Sequence, residues 1–179
     1  MTLQQHIIAA MLATTALWAQ AQSIEVQSPA APVDIGTTFT IDIVGKDFPN
    51  IIYGGGYDVS FDATVLRLDS VKVPAFWELG GGADPIDNVA GSVTGVNFNT
   101  LAGKQGGFTT ATLTFTAVAA GTSAITLSAS PSWPFADDNG EVAVAFKNGT
   151  VAAVPEPASV AMVLAGLGLV GLRLRRARG

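Results

Sequence analysis

The sequence has no cysteine and only one histidine, His6, among its 179 residues. Without cysteine the chain cannot form a disulfide framework, a thiolate metal site or a cysteine nucleophile. A Ser-His-Asp triad or a histidine-ligated metal would depend on His6 alone. We expect His6 to be lost with a cleaved N-terminal segment, which would leave the mature protein without histidine chemistry.

Charged residues are also scarce. They make up 13% of the chain, whereas about a quarter is usual in a soluble domain. Hydrophobic residues make up 49%, the mean hydropathy is +0.42 and the net charge is −5. This high apolar fraction with modest charge argues against disorder. The length favours one domain, and the positive hydropathy indicates apolar ends.

The first apolar end is residues 1–21. An apolar run of about twelve residues, 7–18, precedes Ala19-Gln20-Ala21, and such a run before an A-x-A site is typical of a secretory signal peptide. No lysine or arginine precedes the run, and a buried N-terminal helix is the alternative interpretation. We expect residues 1–21 to be removed by signal peptidase, so that the protein is exported.

The second apolar end follows Pro155-Glu156-Pro157 and is an uncharged run, 158–172. As a helix it would cover about 22 Å, less than the roughly 30 Å hydrocarbon core, but snorkelling arginines can bridge the difference. We predict a transmembrane helix over 158–172, with the arginines in the cytoplasm. A buried terminal helix is the alternative, which four clustered arginines disfavour. These arginines lie within the last seven positions and are Arg173, Arg175, Arg176 and Arg178.

Residues 155–179 resemble the PEP-CTERM sorting signal, in which a Pro-Glu-Pro motif, a short apolar helix and an arginine-rich end follow in this order. The resemblance implies that exosortase, a membrane transpeptidase-like enzyme of Gram-negative bacteria that make exopolysaccharide, recognises and processes the tail. It implies transient anchoring in the inner membrane and delivery to the cell surface or extracellular matrix. Because proline blocks helix and sheet ladders, Pro155 and Pro157 would keep the motif extended and accessible.

Residues 22–154 have the period-two alternation of β-strands. In 38–44, Phe39, Ile41 and Ile43 alternate with polar residues, and 108–118 continues the pattern with a slip near Ala111. About eight or nine short strands bounded by Gly, Pro, Asn and Asp predict an all-β sandwich or jelly roll. The predicted strands are 38–44, 57–61, 65–73, 92–99, 108–118, 123–129, 142–146 and 150–154.

This central region resembles a cohesin-like domain. A strand begins at Gly36, a second strand ends in Ser60-Phe61-Asp62, and Val65-Leu66 follows after two residues. The resemblance implies a jelly-roll β-sandwich of about nine strands that binds a partner and catalyses nothing. The same pattern also describes carbohydrate-binding sandwiches. The resembling segments are 36–43, 54–62, 65–68, 107–115, 121–127 and 148–151.

The central region is acidic. Thirteen acidic residues stand against five basic ones in 22–154, which leaves a net charge of −8. Nucleic-acid binding needs a basic face, so we predict no nucleic-acid partner.

One acidic cluster is a candidate calcium site. Asp137, Asp138, Asn139 and Glu141 surround Gly140, and calcium takes roughly six to eight oxygen ligands. The loop 84–88 could add further oxygens, although the spacing is not that of an EF-hand. The alternative is a solvent-exposed hairpin turn, because Asn-Gly is a strong hairpin signal. We predict no other cofactor.

No residue pattern indicates catalysis. Asp58 and Asp62 would lie roughly 13 Å apart on one strand face, beyond the roughly 5–9.5 Å that glycoside hydrolysis uses. Asp62 is better explained as a turn cap. The glycines 80–82 lack the lysine and helix of a phosphate loop. We predict that the protein is not an enzyme.

Aromatic residues are better candidates for ligand binding. Trp77 and Trp133 lie in predicted loops, and Tyr53 precedes the triple glycine 54–56. Aromatic rings stack on sugar faces and anchor protein interfaces. The alternative is that these rings pack into the ends of the sandwich.

Together these features predict a non-catalytic exported protein of the cell surface or extracellular matrix, connected with exopolysaccharide or biofilm. Its domain would bind a matrix protein or an extracellular polysaccharide. A carbohydrate-binding module that uses the loop aromatics is the alternative function.

Overall fold

The computed structural model describes residues 22–156 and four single positions beyond them, 162, 166, 167 and 173. The predicted signal peptide, His6, Pro157, the rest of the predicted transmembrane helix and the other three tail arginines lie outside the described residues. Within the described part, no helix is long and apolar enough to cross a membrane.

Residues 22–156 form an all-β fold of eleven strands, rather than the roughly nine expected of a jelly roll. Two strands are much longer than predicted. β3 joins the predicted strands 38–44 and 57–61, and β6 joins 92–99 and 108–118. The strands are β1 Ser23–Val26, β2 Val33–Asp34, β3 Thr38–Ser60, β4 Leu66–Lys72, β5 Gly81–Gly82, β6 Ser92–Ala117, β7 Gly121–Ala129, β8 Ala136–Asp137, β9 Gly140–Glu141, β10 Ala145–Lys147 and β11 Gly149–Val154.

The long strands β3 and β6 pass from one layer of the sandwich to the other. They pair antiparallel along most of their length, with register shifts between Gly45 and Gly54. In β6 the backbone turns at Gly103 and Gly106, with φ angles of 67° and 74° that favour glycine. Pro49 and these glycines have the sequence features of strand breaks, but here they bend continuous strands.

Each layer therefore contains one half of both long strands. In the first layer, β1 and the C-terminal half of β6 flank residues 38–45 of β3, while β10 and β4 lie outside them. In the second layer, β7 and the N-terminal half of β6 flank residues 54–60 of β3, with β5 beyond β6 and β11 and β2 beyond β7.

The core lies between the layers, and the predicted alternation is confirmed. Ile41 and Ile43 on β3 are buried, and the alternating polar residues Thr38, Thr40 and Asp42 are exposed. The slip near Ala111 is confirmed as a bulge, since Ile43 pairs with Ala111 and Val44 with Thr109. The residue skipped, Thr110, is fully buried, and its hydroxyl donates to the Ile43 carbonyl at 3.0 Å. The hydroxyls of Tyr57 and Thr110 also form a hydrogen bond of 2.7 Å.

The predicted strand 142–146 is largely wrong. Only Ala145–Lys147 forms a strand, β10, which pairs in parallel with β1. Val142 instead continues from the short β8–β9 hairpin, where its amide donates to the Phe135 carbonyl at 2.8 Å.

Candidate functional site

The first candidate site is the junction between the folded domain and the predicted sorting signal. β11 pairs antiparallel with β7 and in parallel with β2, and Val151 and Ala153 on it are buried. The amide of Ile35 donates to the Val154 carbonyl at 2.9 Å. Pro155 and Glu156 follow at once and are exposed. The fold thus ends one residue before the Pro-Glu-Pro motif, with no linker between them.

The second candidate site surrounds Trp133. The amide of Trp133 donates to the Ser130 carbonyl at 3.3 Å, which makes residues 130–133 a turn with Pro131 at its second position, where proline is favoured. Pro134 holds Trp133 extended. This turn carries the indole to the outer face of the second layer, where the residue is 40% exposed.

Glycines of β3 make room for the loop on both faces of the strand. Gly55 shares the inward parity of Tyr57, and a Cβ there would lie 2.6 Å from the ring of Phe135, which is buried. Gly56 faces outward, and a Cβ there would lie 2.7 Å from the Cβ of Trp133. The triple glycine therefore lets an aromatic residue lie directly on each side of the backbone.

A polar cleft opens beside this indole. It is shallow and open to solvent, with a volume of about 420 Å³. We call it the Trp133 cleft, and its lining consists of residues 79–84, Asn97, Asn99 and Trp133. Trp133 also lines a larger and more apolar groove of about 610 Å³, together with Pro131, Phe135, Val144 and Phe146.

Trp77, by contrast, belongs to the core. The residue is 2% exposed, and its indole lies 4.6 Å from the ring of Phe98 and 5.5 Å from that of Phe108, between centroids. Its Nε1 donates to the Thr109 carbonyl at 3.0 Å. Of the two alternatives for Trp77, the packing one is correct, because the loop after Pro74 folds inward.

Tyr53 lies near the β8–β9 turn and is not among the residues that line the Trp133 cleft. The carboxylate of Asp138 beside its phenol raises the pKa of Tyr53.

The predicted turn over 137–141 is present, with Asp137 paired to Gly140 and Ala136 to Glu141. The two residues of the hairpin loop are Asp138 and Asn139, whereas the Asn-Gly signal would place Asn139 and Gly140 there. Gly140 follows the loop with a φ of 114°.

The carboxylate of Asp137 is held by hydrogen bonds. The backbone amide of Asn139 donates to it at 2.7 Å and the side chain of Asn50 at 2.9 Å, and these bonds lower its pKa. Within the described residues no group of three acidic or histidine side chains is arranged to hold a metal ion. The predicted hairpin turn is present, and calcium binding there stays the alternative hypothesis.

Asp58 and Asp62 have separate structural contacts. The amide of Gly95 donates to Asp58 at 2.8 Å. The hydroxyl and amide of Thr64 donate to Asp62 at 2.6 and 2.9 Å, and these bonds lower its pKa. Asp62 is thus the turn cap that the sequence predicts.

Sequence reasoning missed Asn97 and Asn99 as site residues. The signal was present, because both alternate with the buried Phe98 and so must project from the outer face of β6. Their proximity to Trp133 depends on the pairing of β6 with the glycines of β3, which the sequence alone does not give.

Comparisons with known proteins agree with both halves of this description. Residues 153–178 match the PEP-CTERM protein-sorting motif, and no curated protein matches the sequence. The seventh ScaB type I cohesin from Pseudobacteroides cellulosolvens is similar in structure, with a TM-score of 0.62 and 16% identity over 76% of this chain and 94% of its own.

Two further structures are similar to this chain. A non-cellulosomal cohesin from the archaeon Archaeoglobus fulgidus has a TM-score of 0.58 and 16% identity, over 79% of this chain and 97% of its own. A type I cohesin–dockerin complex from Clostridium thermocellum contains a chain with a TM-score of 0.60 and 13% identity, over 75% of this chain and 99% of its own.

The described domain is therefore a cohesin-like β-sandwich. Its last strand runs into a PEP-CTERM sorting motif, so the protein combines a cohesin-like fold with a signal for protein sorting.

Proposed function

We propose that the protein is a non-catalytic exported protein, held in the inner membrane by its C-terminal segment and then sorted by exosortase to the cell surface or extracellular matrix. There its cohesin-like domain binds a partner. The observation that carries the proposal is the sorting motif at residues 153–178, which begins within the last strand of the folded domain.

The geometry of the junction supports processing at the motif. Ala153 and Val154 pair with Val33 and Asp34, so a processing enzyme has no extended chain to bind on the domain side of Val154. Pro155 cannot donate to a sheet ladder, and the motif leaves the sheet where the pairing stops. The exposed residues Pro155 and Glu156 are therefore the first point that an enzyme can reach.

A protein partner is the first choice for the domain, because a similar cohesin-like chain occurs in a complex with a dockerin. Binding rather than catalysis is supported by the carboxylates, since those of Asp58, Asp62 and Glu78 each accept hydrogen bonds from the domain's own donors. A polysaccharide partner is the second candidate, which the exposed indole of Trp133 favours. We also propose a role in exopolysaccharide or biofilm, which the resemblance of the tail to the PEP-CTERM signal implies.

The sorting proposal is tested by changing Pro155, Glu156 and Pro157 together to alanine in cells that carry an exosortase. We expect full-length protein to accumulate in the inner membrane and the surface fraction to be lost. The matched control is Pro32→Ala, which changes an exposed loop proline of the same domain outside the motif. Equal surface delivery of the triple variant and the control would contradict the proposal.

A further inference from the structure

Two buried glycines of β3 lie directly beneath the Asn99 and Trp133 side chains that line the Trp133 cleft. Gly54 and Gly56 both face outward on β3, and a Cβ on Gly54 would lie 2.3 Å from Oδ1 of Asn99. Asn99 and Trp133 can therefore lie flat on the strand. Any larger residue at either glycine would lift one of them from the sheet.

The walls of the cleft share one face of the second layer. Paired residues on antiparallel strands point to the same side, and Asn97 pairs with both Gly56 on β3 and Gly82 on β5. Asn99 pairs with Gly54. The two amides therefore project beside the exposed indole, and the edge strand β5 contributes glycine rather than a side chain that would fill the space.

These groups match the chemistry of a sugar ring. A pyranose presents apolar C–H faces, which stack on an indole, and a rim of hydroxyls that both donate and accept hydrogen bonds. A side-chain amide does both as well. Within the described part of the chain the Asn99 amide makes no hydrogen bond, and that of Asn97 donates only to the Gly95 carbonyl, at 2.9 Å.

Charge narrows the class of sugar. Among the described residues no lysine or arginine lines the cleft, and its only ionisable group is Asp84, which accepts a hydrogen bond from Thr94 at 2.6 Å. The surrounding domain is acidic, with a net charge of −8 over 22–154. Uronates, sulfated sugars and phosphates would be repelled here.

We propose that the Trp133 cleft binds a neutral saccharide unit of a polysaccharide, with Trp133 stacking on the ring and Asn97 and Asn99 bonding its hydroxyls. The proposal rests on the proposed function only in placing the domain at a surface that carries polysaccharide. It deepens the second candidate of the proposed function, a polysaccharide partner, by naming the site and the class of sugar.

The test is isothermal titration of the full-length chain, in a detergent without a sugar headgroup, against neutral gluco-, manno- and galacto-oligosaccharides and oligouronates of matched length. We expect at least one neutral series to bind and the oligouronates not to bind. Trp133→Ala should weaken binding by about tenfold or more, as truncation of a central aromatic anchor does.

A second variant blocks the cleft without removing a contact. A Cβ on Gly82 would meet no atom within 4 Å, and because Gly82 pairs with Asn97 its side chain would enter the cleft. Gly82→Leu should therefore abolish binding and keep the wild-type Tm. The matched control is Gly107→Leu at an exposed strand position, where a Cβ would lie 3.7 Å from the Gly45 carbonyl oxygen; it should bind as the wild type does.

The proposal is overturned if no neutral oligosaccharide binds at millimolar concentration, if oligouronates bind more tightly, or if both cleft variants bind as tightly as Gly107→Leu. If a protein ligand binds the wild type, is displaced by no sugar and fails to bind Gly82→Leu, the cleft belongs to the protein partner instead. None of these results depends on sorting, so they leave the test of the Pro-Glu-Pro motif unaffected.

Discussion

Replacing Trp77 with alanine should severely destabilise the domain. Trp77 is 2% exposed and packs against Phe98 and Phe108 in the core. Its truncation, which leaves a cavity and removes the hydrogen bond to the Thr109 carbonyl, costs about 3–5 kcal/mol in all. A total near 4 kcal/mol is a large fraction of the roughly 5–15 kcal/mol that stabilises a typical domain.

Thermal unfolding followed by circular dichroism measures the effect. For a domain of this size each kcal/mol lowers Tm by roughly 3–5 °C, so Trp77→Ala should lower it by roughly 12–20 °C. Trp133→Ala is the matched control, since that residue is 40% exposed. It should cost about 1 kcal/mol or less. Trp77→Phe, which retains a ring but not the Nε1 donor, should fall between the two.

Equal losses of Tm for Trp77→Ala and Trp133→Ala would refute the assignment of one ring to the core and the other to the surface. So would a Tm loss for Trp77→Ala of less than about 5 °C, which is within the range of a surface substitution.

Three further predictions concern stability. Tyr57→Phe should cost about 1 kcal/mol, and Thr110→Val should cost more, because it leaves the buried Tyr57 hydroxyl without a partner; denaturant unfolding of both variants measures the difference. Lys147 and Lys46 hold the pKa of Glu25 down, from the ordinary 4.5 to about 2. Their contribution should be complete above pH 4.5 and fade as the pH falls towards 2. Both lysines are about half exposed, at 46% and 59%, so the two ion pairs contribute about 1 kcal/mol to stability. If the Tm of a Glu25→Gln variant falls as much as that of the wild type between pH 4.5 and 2, the ion pairs do not make this contribution. Calcium should leave Tm unchanged, since protein donors already occupy a carboxylate of the β8–β9 turn; a rise of more than about 2 °C would establish a calcium site.

Alternating patterns were reliable where one face of a strand is buried and the other meets water. That condition holds for 38–44 and 108–118, where even the bulge beside Ala111 was visible as a break in period. It fails for two-residue strands such as β5, which are too short to show a period. It also fails for β3, whose proline and glycines normally indicate turns but here bend one strand between layers.

Features that depend on local order along the chain can be read directly from the sequence. The Pro-Glu-Pro motif, the apolar run after it and the arginines are recognised in linear order, and residues 153–178 match the sorting motif on that basis. The all-β class follows similarly from periodicity and turn residues. Neither requires knowledge of which strands are neighbours.

Which aromatic residues a ligand can reach depends on packing that is visible only in the folded domain. Trp77 and Trp133 both lie in loops a few residues after a proline, yet one is 2% and the other 40% exposed. The difference arises from distant residues: Phe98 and Phe108 enclose Trp77, while Gly56 leaves an open strand surface for Trp133. Burial depends on packing between segments far apart in the chain, and local sequence does not encode it.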